Sequence, residues 1–177
     1  MLSLSTFFTG APGSKWSGIA QQIEAMDSNW DISDRTPERE YNHGEYSGHK
    51  GVYFGTGMEF PAILDTDNLN APYKEKSNKP RLHKSHEWAY VLDDIKEKFP
   101  SSNIILVYRS NDLCFEWWKQ AGGWDITYPN YDIYKNDTVM QSMIKAQNYC
   151  ILKFAYENNL KWDHANTDTL MTEYKGT

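Results

Sequence analysis

The sequence predicts an α/β domain with a central parallel sheet, because strand-like apolar runs alternate with helix-like segments. Residues 2–8 form an apolar and β-branched run that ends at a cluster of glycine and proline. In residues 16–26, apolar side chains recur three and four positions apart, as on one face of a helix. Residues 104–108, Ile-Ile-Leu-Val-Tyr, are typical of a strand covered on both faces. Ligands bind such sheets beyond the carboxyl ends of the strands, so a site is expected there.

Three further helices are predicted around these elements. Residues 88–99 carry one apolar face that Pro100 ends, and residues 111–120 precede the pair Gly122-Gly123. A long helix is expected to begin at a capping residue, Asp137 or Thr138. The predicted buried face of that long helix consists of Val139, Met143, Ala146, Cys150 and Phe154.

The segments between these elements predict less regular structure. Residues 30–50 are polar and are predicted to be loop, and residues 65–80, rich in Asp, Asn, Lys and Pro, to be an exposed connection. Residues 51–64 hold two apolar clusters, either of which is compatible with a strand.

Length and composition limit the class of protein. The 177 residues predict a single domain spanning residues 1–177. Hydrophobic residues make up 40%, which argues against the disordered, collagen-like and membrane-spanning classes. The first residues lack the pattern of a secretory signal, so a cytoplasmic location is expected. A net charge of -6 argues against nucleic acid as a partner, so any polyanionic ligand must be held by local basic groups.

The two cysteines indicate buried thiols. Cys114 and Cys150 each fall among apolar positions of predicted helices. In so sparse a set, isolated thiols are commoner than a disulfide.

Residues 10–17, Gly-Ala-Pro-Gly-Ser-Lys-Trp-Ser, form a candidate anion-binding loop between a strand and a helix. Backbone N–H groups of such a loop and the start of the helix point at a bound phosphate. The segment is not a Walker A motif, because Gly-Lys-Ser/Thr is not contiguous at the required distance from the first glycine. The alternative is an ordinary tight turn.

A second segment, residues 80–86, reads Pro-Arg-Leu-His-Lys-Ser-His and precedes a helix, the strand at residues 104–108 and Arg109. With the first loop, this order and spacing resembles the cytosolic sulfotransferase family over residues 6–120. The resemblance implies a P-loop NTPase-like, three-layer α/β/α fold. It also implies that 3'-phosphoadenosine 5'-phosphosulfate is the sulfuryl donor, and that the acceptor is a hydroxyl of a small molecule or carbohydrate.

The resemblance also assigns roles to residues. His86 takes the position of the catalytic base, Lys84 that of the catalytic lysine, and Arg109 that of the ligand of the donor's 3'-phosphate. Lys15 is a further catalytic candidate, because a cation stabilises the charge that develops during transfer. The expected donor-binding set is Pro12, Gly13, Ser14, Lys15, Trp16, Ser17, Arg109 and Ser110.

The chain departs from the family pattern at three places. The basic residue of the loop is expected at position 13 and stands at Lys15. Trp117 occupies the place of a serine, for which Ser110 or Lys119 are the possible substitutes. The carboxyl-terminal Arg-Lys-Gly clamp is missing, unless Lys175-Gly176 is its remnant.

Other features of the sequence support further hypotheses. His43, Glu45 and His49 match no established metal spacing, so no metal site is expected.

The alternatives to a sulfotransferase are a P-loop small-molecule kinase and a non-catalytic nucleotide-binding protein of the same fold. An aromatic concentration around Gly122-Gly123 is compatible with an acceptor pocket or a lid as well as with core packing; it comprises Phe115, Trp117, Trp118, Trp124, Tyr128, Tyr131 and Tyr134.

Overall fold

A computed structural model describes residues 5–33, 62–73, 78–125 and 136–177 of the protein. The described residues form one five-stranded sheet in the order β2-β1-β3-β5-β4. The strands are β1 (Ser5–Gly10), β2 (Arg81–Lys84), β3 (Asn103–Tyr108), β4 (Asp163–Asn166) and β5 (Thr169–Tyr174). The α-helices are α1 (Trp16–Met26), α2 (Thr66–Asn70), α3 (Leu92–Lys98), α4 (Asn111–Gln120) and α5 (Asp137–Glu157).

The centre of the sheet is parallel and its far side is antiparallel. β1 lies between β2 and β3 and pairs with both in parallel, with Gly10 opposite Val107 of β3. β5 pairs antiparallel with β3, and β4 pairs antiparallel with β5. The predicted α/β class is therefore confirmed, but the sheet is mixed. The hairpin of β4 and β5 was not predicted.

Alternation along the strands divides the core into two clusters on opposite faces of the sheet. Phe8 packs with α1 and the start of α5, whereas its neighbour Phe7 packs with α3 and the end of α5. β3 alternates in the same way, with Ile105 in the first cluster and Ile104 in the second. Helices thus cover both faces of the central strands, as an uninterrupted apolar strand requires.

Several element boundaries differ from the prediction. β1 continues to Gly10, and the residues before Ser5 lie outside the described part of the chain. The helix predicted over residues 88–99 is divided into a 3₁₀ helix, His86–Tyr90, and α3. The connection predicted over residues 65–80 contains α2, whose Leu69 is fully buried.

The buried face of α5 was predicted only in part: Phe154 is buried, and Met143 and Cys150 are partly buried. Val139 and Ala146 are exposed, and the cap is Asn136, whose side chain accepts a hydrogen bond from the Val139 N–H. The buried face in the structure differs from the predicted one because it includes the side-chain amides of Gln147 and Asn148. A search for apolar residues at helical spacing does not select these two positions. The buried residues of α5 are Met140, Ile144, Gln147, Asn148, Ile151, Phe154 and Ala155.

Both cysteines are free thiols, as predicted, but only Cys114 is buried and Cys150 is partly exposed. Burial raises the pKa of Cys114 to about 12, so this thiol stays protonated at neutral pH. Across the described residues, no helix combines the length and apolarity needed to cross a bilayer. The segment at residues 51–61, the polar residues His43, Glu45 and His49, and the aromatic residues Tyr128, Tyr131 and Tyr134 fall outside the described ranges.

Candidate anion-binding site

The loop between β1 and α1 lies at the carboxyl edge of the parallel strands. The Ser14 N–H donates to the Ala11 carbonyl at 3.0 Å, which closes a tight turn, and both Gly13 and Lys15 have a positive φ, of 79° and 64°. No side chain of the described residues caps the amino end of α1, and the first N–H groups of a helix have no partner within the helix itself. The Ser14 side chain is fully buried, and its Oγ has no hydrogen-bond partner within the described part of the chain.

Two glycines let this loop pack closely. A Cβ on Gly10 would come within 2.6 Å of the Ser14 Oγ and the Trp16 Cβ. A Cβ on Gly13 would lie 1.8 Å from the carbonyl oxygen of Cys114 in α4. The loop therefore rests directly on the first turn of α4, with no room for side chains at either glycine.

Lys15 and Arg109 converge on one carboxylate, that of Asp168. Arg109 Nη2 donates to Asp168 Oδ2 at 2.6 Å, and Lys15 Nζ lies 3.3 Å from the same oxygen. Thr169 Oγ1 donates to the other oxygen at 2.9 Å. Asp168 follows β4, so the unpredicted hairpin brings a negative charge to the candidate phosphate position.

The hydrogen bond from Arg109 lowers the pKa of Asp168 from the ordinary 3.8 to about 2. Because the folded pKa lies below the unfolded one, the ion pair stabilises the fold fully above about pH 4. The contribution is lost as the pH falls towards 2.

We expect Asp168→Asn to reduce the free energy of unfolding at pH 6 by on the order of 1 kcal/mol, since the carboxylate is partly exposed to solvent. The difference from the unmodified protein should shrink at pH 2.5. Urea denaturation at the two pH values measures it, with Asp163→Asn on exposed β4 as the control. An undiminished difference at pH 2.5 would contradict the ion-pair explanation.

Arg109 is also fixed by main-chain groups. Its Nη1 donates to the carbonyls of Gly13 and Leu113 at 3.1 Å and 2.7 Å. The Asn148 side chain donates to the Arg109 carbonyl at 2.9 Å. Arg109 therefore joins the loop, β3, α4 and the β4–β5 hairpin. Its buried Nε has no hydrogen-bond partner among the described residues, so one donor of the guanidinium is unused.

Lys84, the last residue of β2, and His86, the first of the 3₁₀ helix, lie at the same edge. Lys84 is fully buried, and its Nζ donates to Glu24 Oε1 of α1 at 2.7 Å. The Ser85 N–H continues the parallel ladder to the Phe8 carbonyl. His86 follows and is only 3% exposed, and its carbonyl accepts a hydrogen bond from Thr9 Oγ1 at 3.4 Å. His86 thus adjoins the residue that precedes the loop.

The site therefore has two sides, separated by the loop. Lys84, at the end of β2, and His86, at the start of the 3₁₀ helix, lie on the β2 side, whereas Lys15 and Arg109 meet at Asp168 on the β3 side. Of the remaining predicted donor ligands, Pro12 and Trp16 are buried, Ser17 is half-buried and Ser110 is exposed at the start of α4.

The positions that depart from the family pattern also have defined places. Lys15 Nζ lies 5.0 Å from the centre of the Trp117 ring, so this tryptophan supports the lysine by a cation–π contact. Lys119 is exposed and pairs with Asp137. Of the aromatic concentration, Trp118 is core, and Trp124 packs edge-on against it with 37% of its surface exposed.

The suggestion that Lys175-Gly176 is a remnant clamp is wrong. Tyr174 pairs with Ile104 near the start of β3, and the Gly176 N–H donates to the Asn103 side chain. The loop lies at the opposite edge, where Gly10 pairs with Val107. The separation is about 15 Å along the strand, at about 3.3 Å per residue.

Sequence reasoning missed two acidic residues of the site, Glu24 and Asp168. Each pairs with a predicted cationic residue, over separations of 60 and 153 positions. The only local signal is the run Asn166-Thr167-Asp168, which is typical of a turn. A turn motif alone does not indicate that its carboxylate reaches the loop after β1.

Comparison with known proteins identified no relative of this chain. No family model, no curated protein and no solved structure matches the chain.

Proposed function

We propose that this protein is a P-loop-like sulfotransferase that uses 3'-phosphoadenosine 5'-phosphosulfate to sulfate a hydroxyl of a small molecule or carbohydrate. One observation carries the proposal: β2, β1 and β3 are adjacent and parallel, so the loop after β1, His86 and Arg109 all lie at one edge of the sheet. That edge is where α/β sheets bind ligands. The sulfuryl donor itself is inferred from the sequence resemblance.

The loop supplies the features that a phosphate needs. The start of α1, which no described side chain caps, would offer backbone N–H groups to a phosphate, and Lys15 adds a positive charge beside them. Ser14 Oγ and Arg109 Nε are buried polar atoms without a partner in the described ranges. Buried polar atoms are rarely left unpaired in native proteins. A bound oxyanion would supply the hydrogen-bond partners that these two atoms lack within the described ranges.

The chemistry divides between the two sides of the loop. His86 accepts the proton of the acceptor hydroxyl as its oxygen bonds to sulfur. The bond between sulfur and the bridging phosphate oxygen breaks, and adenosine 3',5'-bisphosphate leaves with the negative charge. Lys84, held in place by Glu24, and Lys15 stabilise the charge on the bridging and phosphate oxygens.

Calorimetry tests the proposed donor. Adenosine 3',5'-bisphosphate should bind at least tenfold tighter than adenosine 5'-monophosphate, about 1.4 kcal/mol, because Arg109 would pair with the 3'-phosphate. Equal affinities for the two nucleotides would contradict the proposal. Tighter binding of ATP with magnesium would favour the kinase alternative.

The engagement of Arg109 with Asp168 favours a second candidate, a non-catalytic nucleotide-binding protein of the same fold. In that protein the ion pair would be a permanent structural contact. Binding of the bisphosphate without turnover of 3'-phosphoadenosine 5'-phosphosulfate, tested over a panel of hydroxyl acceptors, would identify it.

A further inference from the structure

The carboxylate of Asp168 contacts both Lys15 and Arg109, the two cations to which the proposed function assigns phosphate groups of the donor. It accepts from Arg109 Nη2 at 2.6 Å, and both of its oxygens lie within 3.4 Å of Lys15 Nζ. A carboxylate and a phosphate offer these cations the same kind of ligand, two or more negatively charged oxygens. The two cannot occupy the position together, because their charges repel at such distances.

We propose that the β4–β5 hairpin is a latch, in which Asp168 closes the anion site and an incoming phosphate or sulfate group displaces it. The latch regulates the site assigned under the proposed function and rests on the loop being an anion site. It does not depend on which nucleotide carries the anion.

The structure allows the tip of the hairpin to move. Asp168 and Lys15 keep 29% and 30% of their side-chain surface exposed, so solvent reaches the ion pair. β4 is an edge strand of four residues, mostly exposed, and its pairing with β5 is irregular between His164 and Asn166. β5 is anchored separately, by five registered pairs with β3. The turn can therefore release the Asp168 side chain while the fully buried Thr169 and the rest of β5 keep their register.

Arg109 keeps its place when the latch opens. Its Nη1 bonds to the carbonyls of Gly13 and Leu113 do not involve Asp168. Nη2, released by the carboxylate, and the unused Nε would then face the anion together. When the latch opens, the guanidinium of Arg109 stays in place and exchanges the Asp168 carboxylate for the incoming anion.

A latch lowers the measured affinity by the fraction of molecules that are open. If about one molecule in ten is open, removing the latch should tighten anion binding about tenfold. The variant is Asp168→Asn, which keeps the size of the side chain and removes its charge. Asp163→Asn, on the exposed part of the same hairpin, makes the same change of net charge and serves as the matched control.

The experiment is calorimetry of the full chain with inorganic pyrophosphate, and separately with adenosine 3',5'-bisphosphate, at one fixed ionic strength. Circular dichroism establishes that each variant is folded. We expect about tenfold tighter pyrophosphate binding by Asp168→Asn and less than a twofold change for Asp163→Asn. Equal tightening in both variants would indicate a general charge effect and overturn the latch, as would unchanged or weaker binding by Asp168→Asn.

Hydrogen exchange of the unmodified protein provides a test that needs no variant. With saturating pyrophosphate, amides of residues 165–168, in the turn before β5, should exchange faster, because the latch is displaced. Slower exchange there would overturn the proposal, and so would the absence of pyrophosphate binding by every folded variant. Tightened pyrophosphate binding with no preference for the 3'-phosphate would support the latch and contradict the sulfotransferase.

Discussion

Replacing His86 with alanine is expected to lower sulfuryl turnover by about a hundredfold or more, the usual scale for a lost general base. Affinity for adenosine 3',5'-bisphosphate should hardly change, since the proposed nucleotide contacts come from the loop and Arg109. Steady-state turnover and calorimetry on the same preparation measure the two quantities. Lys15→Ala should behave differently and weaken nucleotide binding as well as turnover, because it removes a charge beside the phosphate.

Burial of His86 requires a second variant. The side chain is only 3% exposed, so alanine leaves a cavity that destabilises the fold. His86→Gln keeps most of the volume and a hydrogen-bonding group, but it cannot act as a base near neutral pH. Both variants should lose turnover if His86 is the base. Near-normal turnover by the folded glutamine variant would show that His86 is structural.

His83 is the other histidine of the segment at residues 80–86 and would be the next candidate for the base by sequence. His83 lies two residues after Arg81 on β2, and its fully buried ring packs against Phe7 and Tyr73. Phe7 belongs to the core cluster on the face opposite to that of Lys84 and α1. His83 is therefore a core residue and not a second candidate for the base.

Replacing Gly13 with alanine is expected to cost at least about 3 kcal/mol of folding free energy, the scale of backbone strain combined with overpacking. The residue has a φ of 79°, and the added Cβ would lie 1.8 Å from the Cys114 carbonyl oxygen. Because that obstacle is main chain, relief requires the loop to move away from α4. Urea denaturation measures the loss, and anion binding should weaken with it.

Gly123→Ala is the matched control for this prediction. Gly123 also has a positive φ, of 52°, but its added Cβ would find its nearest neighbours at 3.6 Å or more. It should cost only about 1 kcal/mol, the penalty of the left-handed backbone alone. If the two variants lose similar amounts of folding free energy, the close contact between the loop and α4 does not add to the cost of a side chain at position 13.

The sequence was sufficient to predict the elements whose signals are local. The β-branched run at residues 104–108 predicted β3, and the glycine-rich turn after the first strand predicted the loop. These predictions succeed because a buried strand and a tight turn each require particular residue types within a few positions. The same reasoning placed Arg109 at the carboxyl end of β3, where the structure has it.

Long-range pairing explains what the sequence could not predict. The buried face of α5 includes Asn148 because its amide donates to Arg109 and Asn111, 39 and 37 positions away. Asp168 likewise acquires its role only through contacts with Lys15 and Arg109. A polar residue in an apolar pattern predicts exposure, unless the tertiary structure supplies its partners.

The connectivity of the sheet has a consequence for the order of folding. β4 and β5 are neighbours in the chain, so their hairpin closes a short loop at little entropic cost. Asp168 reaches Lys15 across 153 positions, after the parallel pairing of β1 with β3 has brought the loop to the same edge. Contacts of such high sequence separation form slowly. We therefore expect the hairpin to form early and the charge cluster around Arg109 to be among the last native contacts. During folding, the loop after β1 is then formed for some time before the carboxylate of Asp168 pairs with Lys15.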